Sequence, residues 1–158
     1  IDNGDFDAVI CECALCTFPD KAQAARGFAR VLRPGGRVGI SDLTRVGELP
    51  LELRGLLAWV ACIADAMPRA AYEARLRDAG LGIDAVETHD EALLELVGAI
   101  QQKLSAAAWL AELGRIPLTP GDIETARSMT RSALNAVRAG LLGYAIVCAT
   151  KPAAEETT

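Results

Sequence analysis

A strand–helix–strand pattern near the beginning of the chain constrains the fold more than any other feature. Residues 6–11 form an apolar, partly β-branched run, which predicts a short buried strand. Residues 21–32 place apolar side chains at helical spacing, and Pro34-Gly35-Gly36 ends that predicted helix. A second strand is predicted over residues 37–43. Because a helix that connects neighbouring strands leaves them parallel, the sequence predicts an α/β fold with a parallel sheet and right-handed crossovers.

The rest of the chain is predicted to be mainly helical, with two further strands. Helices are expected over residues 51–64, 68–79 and about 90–140, the last with breaks at Gly114 and 117–121, and strands over 82–88 and 141–150. With 158 residues, 51% of them hydrophobic, the chain can bury the core of one domain. That domain is predicted to cover residues 1–150, and residues 151–158 are expected to form a flexible tail.

The charge balance argues against nucleic acid as a partner. Asp and Glu number 21 against 16 Lys and Arg, giving a net charge of −5, and the basic residues are scattered. Proteins that bind phosphate backbones usually present a basic face. No apolar stretch is long enough to predict a membrane span, and residues 1–5 do not resemble a signal peptide. The five cysteines are therefore expected to be reduced thiols in a cytoplasmic protein.

Three cysteines, Cys11, Cys13 and Cys16, lie close together at the carboxyl end of the first predicted strand. Ligands of open α/β sheets bind at that end. Alternation along a strand predicts that Cys11 and Cys13 point the same way, and a turn after Glu12 would bring Cys16 to them. Three interpretations remain open: core packing, a redox-active Cys-x-x-Cys pair, or a thiophilic substrate, since thiolates prefer soft metals and metalloids. No resident metal site is expected, because the sequence has no second Cys-x-x-Cys pair or histidine partner.

Other motifs carry less chemistry. The sequence has no G-x-G-x-x-G, P-loop, G-x-S-x-G or H-E-x-x-H pattern. Pro34-Gly35-Gly36 joins a helix to a strand, so it is predicted to be a structural turn rather than a phosphate cradle. The one histidine, His89, is expected at the surface or as a capping residue, and Cys148 inside the last strand is expected to pack in the core.

Four segments resemble one enzyme family. Phe6-Asp7-Ala8-Val9-Ile10, Phe18-Pro19-Asp20-Lys21, the run from Val31 to Arg37 and Ser41-Asp42-Leu43 are similar to the second half of class I S-adenosylmethionine-dependent methyltransferases. The resemblance covers residues 4–150. It implies a partial Rossmann-like sheet made of the family's strands four to seven, with a helical insertion at about 90–140 before a final antiparallel strand.

Two cysteines resemble those of the arsenite methyltransferase branch. Cys13 follows the fourth family strand, and Cys62 lies in Cys62-Ile63-Ala64-Asp65-Ala66, which is similar to a cysteine-containing stretch of those enzymes. The resemblance implies that both thiolates hold As(III), whose lone pair attacks the cofactor methyl group. Cys11 and Cys16 are extra cysteines relative to that branch and are candidates for additional substrate ligands. Glu12 departs from the family's usual Asn. Two alternatives therefore stay open: a small-molecule C-, O- or N-methyltransferase with incidental cysteines, and a non-catalytic module that pairs through its sheet edge.

The same resemblance implies S-adenosylmethionine as cofactor. The family's Gly-rich loop and ribose-binding acid belong to strands that precede the fourth, so Glu12 is the one cofactor contact expected here. This chain alone is accordingly expected to be inactive and not to bind the cofactor. The free edge of its first strand is expected to be covered by an N-terminal half of the domain or by a second copy, because an open edge promotes aggregation.

Overall fold

The computed structural model describes residues 4–54 and 62–153, which form a four-stranded sheet with helices packed against it. The strands are β1 (Phe6–Glu12), β2 (Leu32–Arg45), β3 (Gly82–Thr88) and β4 (Leu142–Thr150), in the spatial order β1-β2-β4-β3. β1 and β2 are parallel, whereas β4 runs antiparallel to both β2 and β3. The predicted α/β sheet with a final antiparallel strand is confirmed.

Four helices in the described part of the chain connect or flank these strands. They are α1 (Lys21–Val31), α2 (Arg69–Asp78), α3 (Asp90–Glu112) and α4 (Pro120–Arg138), and single 3-10 turns cover Leu15–Thr17 and Leu51–Leu53. Asp20 caps α1 by accepting the backbone N–H of Gln23 at 2.7 Å. Thr119 caps α4 in a reciprocal pair with Asp122, directly before a proline in the first turn. These local signals explain why both helices begin where they do.

The core has two parts, one on each side of the site described below. One part lies among the sheet, α1 and α2, and contains Leu15, Leu32, Ile40, Tyr72 and Leu76, each at most 2% exposed. The other part joins the carboxyl end of β2 to α3 and α4. Helices α3 and α4 occupy the stretch between β3 and β4 where a helical insertion was expected.

The predicted helix over 51–64 is wrong in its described parts. Leu51–Leu53 form only a 3-10 turn, and the structure has no helix at 62–64; residues 55–61 lie outside the described residues. Side-chain bonds to main-chain carbonyls fix this segment instead: Arg54 Nε donates to Leu49 O and Arg45 Nε to Ala66 O, both at 2.6 Å. Such bonds satisfy backbone groups without a helix.

The carboxyl end of the described chain is held to the sheet. Lys151, the first residue of the predicted tail, donates its N–H to Gly36 O at 2.8 Å and accepts the N–H of Gly35 at 2.9 Å. Its ammonium group donates to Leu32 O at 2.7 Å. The tail prediction is therefore wrong at Lys151, because these bonds extend the pairing one residue beyond β4; residues 154–158 lie outside the described residues.

Within the described residues, β1 has a neighbouring strand on one side only. Ile10 is 84% exposed and Phe6 is 42% exposed, although both belong to an apolar strand. An exposed apolar edge is a surface that natural proteins normally cover. None of the described helices has both the length and the apolar character that a membrane span requires.

Candidate active site

The carboxyl ends of β1 and β2 bring two of the predicted site residues together. Cys13 immediately follows β1 and donates its backbone N–H to Ser41 O of β2 at 2.8 Å. The thiol of Cys62, 49 residues later in the chain, donates to the carbonyl oxygen of Cys13 at 3.2 Å. The two cysteines singled out from the sequence are therefore neighbours at the sheet edge where α/β proteins bind ligands.

Both of these cysteines have an unusual backbone conformation. Cys13 has φ of 45° and Cys62 has φ of 63°, and among the described residues they are the only non-glycine positions with positive φ. A side chain makes this region unfavourable, so it persists only where the surrounding structure imposes it. Strained positions of this kind cluster at binding and catalytic sites.

Cys11 and Cys16 lie in the core instead of beside the exposed thiol. Cys11 is 6% exposed and Cys16 is fully buried in the 3-10 turn, whereas Cys13 is exposed. The prediction that Cys11 and Cys13 point the same way is wrong, because the left-handed conformation of Cys13 turns the chain out of the strand. Cys16 nevertheless approaches the site, since its backbone N–H donates to Asp42 and both Asp42 and Cys62 help to raise the pKa of its thiol.

Asp42 is a site residue that the sequence analysis did not single out. It lies on β2, is 2% exposed, and its two carboxylate oxygens accept the N–H groups of Cys16 and Leu43, each at 2.9 Å. A buried carboxylate must be compensated by such bonds. The available signal was an acidic residue inside an otherwise apolar strand, which typically marks a structural or functional need for charge.

Burial raises the pKa of three thiols in this region, those of Cys11, Cys13 and Cys16. It is the main cause that raises the pKa of Cys13, where the Tyr144 hydrogen bond acts in the opposite direction and the charge of Asp42 raises the pKa further. Burial also raises the pKa of Cys11 and of Cys16, and Asp42 adds to both increases. A ligand that binds these sulfurs must therefore displace a proton from each.

Two tyrosines hold the site in place. Tyr144, on β4, accepts a long hydrogen bond from the Cys13 thiol at 3.9 Å and a bond from the Ser41 side chain. Tyr72, on α2, is 2% exposed and donates to Leu43 O at 2.9 Å while accepting the N–H of Met67 at 3.4 Å. Tyr72 thus ties the segment after Cys62 to the end of β2.

A cavity of about 200 Å³ opens beside Cys13 and Tyr144. The end of the sheet, α3 and α4 line it, and its walls are almost entirely apolar. No group of three or more His, Cys, Asp or Glu residues in the described part of the chain has the arrangement of a metal site.

The remaining candidates lie elsewhere or are used structurally. His89 occupies the position before α3 and approaches Glu87 Oε2 at 3.2 Å, and Cys148 lies half-buried on β4. Gly35 and Gly36 both pair with Lys151 and lie within β2, so the predicted turn at 34–36 is wrong and these glycines serve strand pairing instead. Glu12 is exposed at the carboxyl end of β1, next to Cys13.

Comparison with known proteins agrees with this arrangement. Residues 1–40 match the family model described as a methyltransferase domain. Over 68 residues, 42% of this chain, the sequence is 35% identical to human arsenite methyltransferase, of which the match covers 18%.

Solved structures match over nearly the whole chain. Phosphoethanolamine N-methyltransferase 2 of Haemonchus contortus, in complex with S-adenosyl-L-methionine, has a TM-score of 0.73 at 18% identity, over 95% of this chain and 34% of that one. Geranyl diphosphate C-methyltransferase of Streptomyces coelicolor A3(2) has a TM-score of 0.67 at 15% identity, over 95% and 48%. The [4+2]-cyclase SpnF has a TM-score of 0.71 at 19% identity, over 98% and 52%. This chain therefore spans about half or less of the length of these relatives. Its fold is that of the corresponding part of these structures, and residues 1–40 are similar to a methyltransferase domain.

Proposed function

We propose that this chain is the substrate-binding part of an S-adenosylmethionine-dependent methyltransferase whose substrate is arsenite or another thiophilic compound held by Cys13 and Cys62. The hydrogen bond from the Cys62 thiol to the Cys13 carbonyl carries the proposal, because it places the Cys62 thiol against the backbone of Cys13, 49 residues away in the chain. The partial match to human arsenite methyltransferase supports the same substrate class. Soft sulfur ligands suit a soft metalloid.

Binding of arsenous acid balances without an external base. Each new As–S bond replaces one As–OH bond, and the thiol proton leaves with the hydroxide as water. Two thiols thus bind As(III) with release of two waters, which suits the Cys13 thiol, since its raised pKa favours the protonated form. The arsenic keeps its lone pair, and Cys13 and Cys62 orient it, so positioning rather than proton transfer is the contribution of this chain.

The cofactor would supply an electrophilic methyl group on sulfonium sulfur. Among the described residues, Glu12 is the group suited to contact it, since its exposed carboxylate at the carboxyl end of β1 can accept hydrogen bonds from hydroxyl groups. Gly35 and Gly36 are committed to Lys151 and offer no second contact. The described residues therefore provide one wall for the cofactor rather than a complete pocket.

For this reason we also propose that residues 1–158 alone neither bind S-adenosylmethionine nor transfer a methyl group. A further part of the domain, or a second copy of the chain, would cover the exposed edge at Ile10. Calorimetric titration of the 158-residue chain with S-adenosylmethionine should give no heat of binding. Micromolar affinity would contradict this part of the proposal.

The decisive test of the thiols is a double variant of the full-length protein. Cys13→Ser with Cys62→Ser should reduce methylation of arsenite to background, because serine hydroxyls do not form stable bonds to As(III). Cys148→Ser, on a half-buried strand position away from the site, is the matched control and should retain activity. The same double variant should also show no arsenite binding when it is titrated in a calorimeter.

A second candidate is a methyltransferase that acts on carbon, oxygen or nitrogen of a small organic molecule. The apolar cavity beside Cys13 favours it, since such walls suit a hydrocarbon substrate. In that case the cysteines would be incidental, and the double serine variant would keep its full turnover with the organic substrate.

A further inference from the structure

The cavity beside Cys13 is adapted to an apolar group. Leu43, Ile63, Val97, Met129 and Leu142 contribute to its walls. Among the α4 residues of the cavity, only Thr130 carries a hydroxyl group. It donates within its own helix to Ala126 O and Arg127 O, both at 3.0 Å, so it does not need a hydrogen-bond partner on the ligand. A site with such walls binds hydrocarbon surface by excluding water from it.

Two polar groups of the cavity lie next to each other. Cys13 contributes its thiol and Tyr144 its hydroxyl, and these two groups contact each other at 3.9 Å. A ligand that reaches Cys13 with a thiophilic atom would therefore direct any attached substituent toward the apolar walls.

The size of the cavity restricts that substituent. A volume of about 200 Å³ exceeds that of an engineered apolar cavity of about 150 Å³ that binds benzene. The rim is open to solvent at Leu96 and Ile100, which are 59% and 39% exposed on α3. A bound aryl ring would cover part of this exposed surface, and burial of apolar area is favourable.

We propose that the cavity binds the organic substituent of the substrate, so that the preferred substrate is a monosubstituted trivalent arsenical with a compact aryl or branched alkyl group, not inorganic arsenite. This inference rests on the proposed function, since the arsenic atom is assigned to Cys13 and Cys62. The substituent, by contrast, is assigned to the apolar cavity walls, most of which belong to β2, β4, α3 and α4.

Calorimetric titration of the full-length protein with phenylarsonous acid and with arsenous acid tests the inference. Phenylarsonous acid should bind at least roughly tenfold more tightly than arsenous acid, because its phenyl ring is transferred from water into the apolar cavity. Ala133→Leu, which adds bulk to the cavity wall, should remove this preference and leave the affinity for arsenous acid unchanged. Ala106→Leu makes the same change at an exposed position of α3 outside the cavity and should alter neither affinity.

The possible failures are distinct. Since Ala133 is buried, Ile100→Trp at the exposed rim is a second obstructing variant in case Ala133→Leu does not fold. Equal affinity of the wild-type protein for both compounds, or a preference that survives the obstructing variants, would overturn the inference and leave the thiol site intact. Failure of both arsenicals to bind would overturn the proposed function and, with it, this inference.

Discussion

Asp42 Oδ2 accepts the backbone N–H of Cys16 at 2.9 Å, although one residue lies in the middle of the sheet and the other in the turn that follows β1. The neighbouring Ser41 accepts the N–H of Cys13 at 2.8 Å. Two consecutive residues of β2 thus hold both ends of the segment that carries the exposed thiol. The buried charge of Asp42 also acts on the thiols themselves.

Asp42→Asn is expected to make Cys13 more reactive. Burial is the main cause that raises the pKa of Cys13, and the Asp42 charge adds to it, so a neutral side chain of the same size should lower that pKa. The thiolate fraction at any pH below the pKa then increases. Peptide-resolved alkylation of Cys13 by iodoacetamide, measured from pH 6 to about pH 10, should show a rate profile shifted to lower pH.

Asp78→Asn is the matched control for this experiment. Asp78 is exposed at the end of α2, so its charge is screened by water and its replacement should leave the profile of Cys13 in place. An unchanged profile in Asp42→Asn, with circular dichroism showing the variant folded, would contradict the electrostatic role of Asp42.

Tyr72→Phe is expected to destabilise the protein by about 1–2 kcal/mol, because the variant loses a buried hydrogen bond to Leu43 O and an acceptor for Met67 N–H. Urea unfolding of both proteins measures the difference. Tyr144→Phe removes a hydroxyl whose thiol contact is long, 3.9 Å, and should cost less. Equal stability of Tyr72→Phe and the wild type would mean that the hydrogen bonds of the Tyr72 hydroxyl contribute nothing to the free energy of unfolding.

Local patterns were sufficient to predict the sheet and the helices next to it. The 21–32 periodicity, the Asp20 cap and the 37–43 strand pattern agree with α1 and β2 because each signal acts within a few residues. The helix prediction failed at both described ends of the 51–64 segment, where Arg54 donates to Leu49 O and, just outside the segment, Arg45 donates to Ala66 O. Those bonds depend on tertiary contacts that helical periodicity does not contain.

The site could be predicted only in part for a similar reason. The resemblance pointed to Cys13 and Cys62, but the alternation rule failed at Cys13, where positive φ ends the strand pattern. Asp42 and Tyr144 take their importance from partners 26 and 131 residues away in the chain, Cys16 and Cys13. No spacing rule within one element reveals such pairs.

The start of α4 should become pH-dependent through its capping box. Hydrogen bonds from the Thr119 side chain and backbone lower the pKa of Asp122, so this carboxylate stabilises the folded state at pH values above its ordinary pKa. That contribution is lost as the pH falls through the lowered pKa. Thr119→Ala should cost about 1 kcal/mol at neutral pH, measured by urea unfolding. The difference from wild type should shrink in acid, and a constant difference would contradict the coupling.

Gly36→Ala is expected to disrupt the first part of β2. A Cβ atom at this position would lie 2.9 Å from Arg33 O and 3.1 Å from both Phe6 O and Leu32 Cδ2, and two of these are backbone atoms that cannot move independently. Such overpacking typically costs about 1–3 kcal/mol. Gly39→Ala, on the same strand, would meet no atom within 4 Å and is the matched control. The urea concentration at the midpoint of unfolding should therefore be well below that of Gly39→Ala in the Gly36→Ala variant. Equal midpoints would show that the backbone around Gly36 can relax.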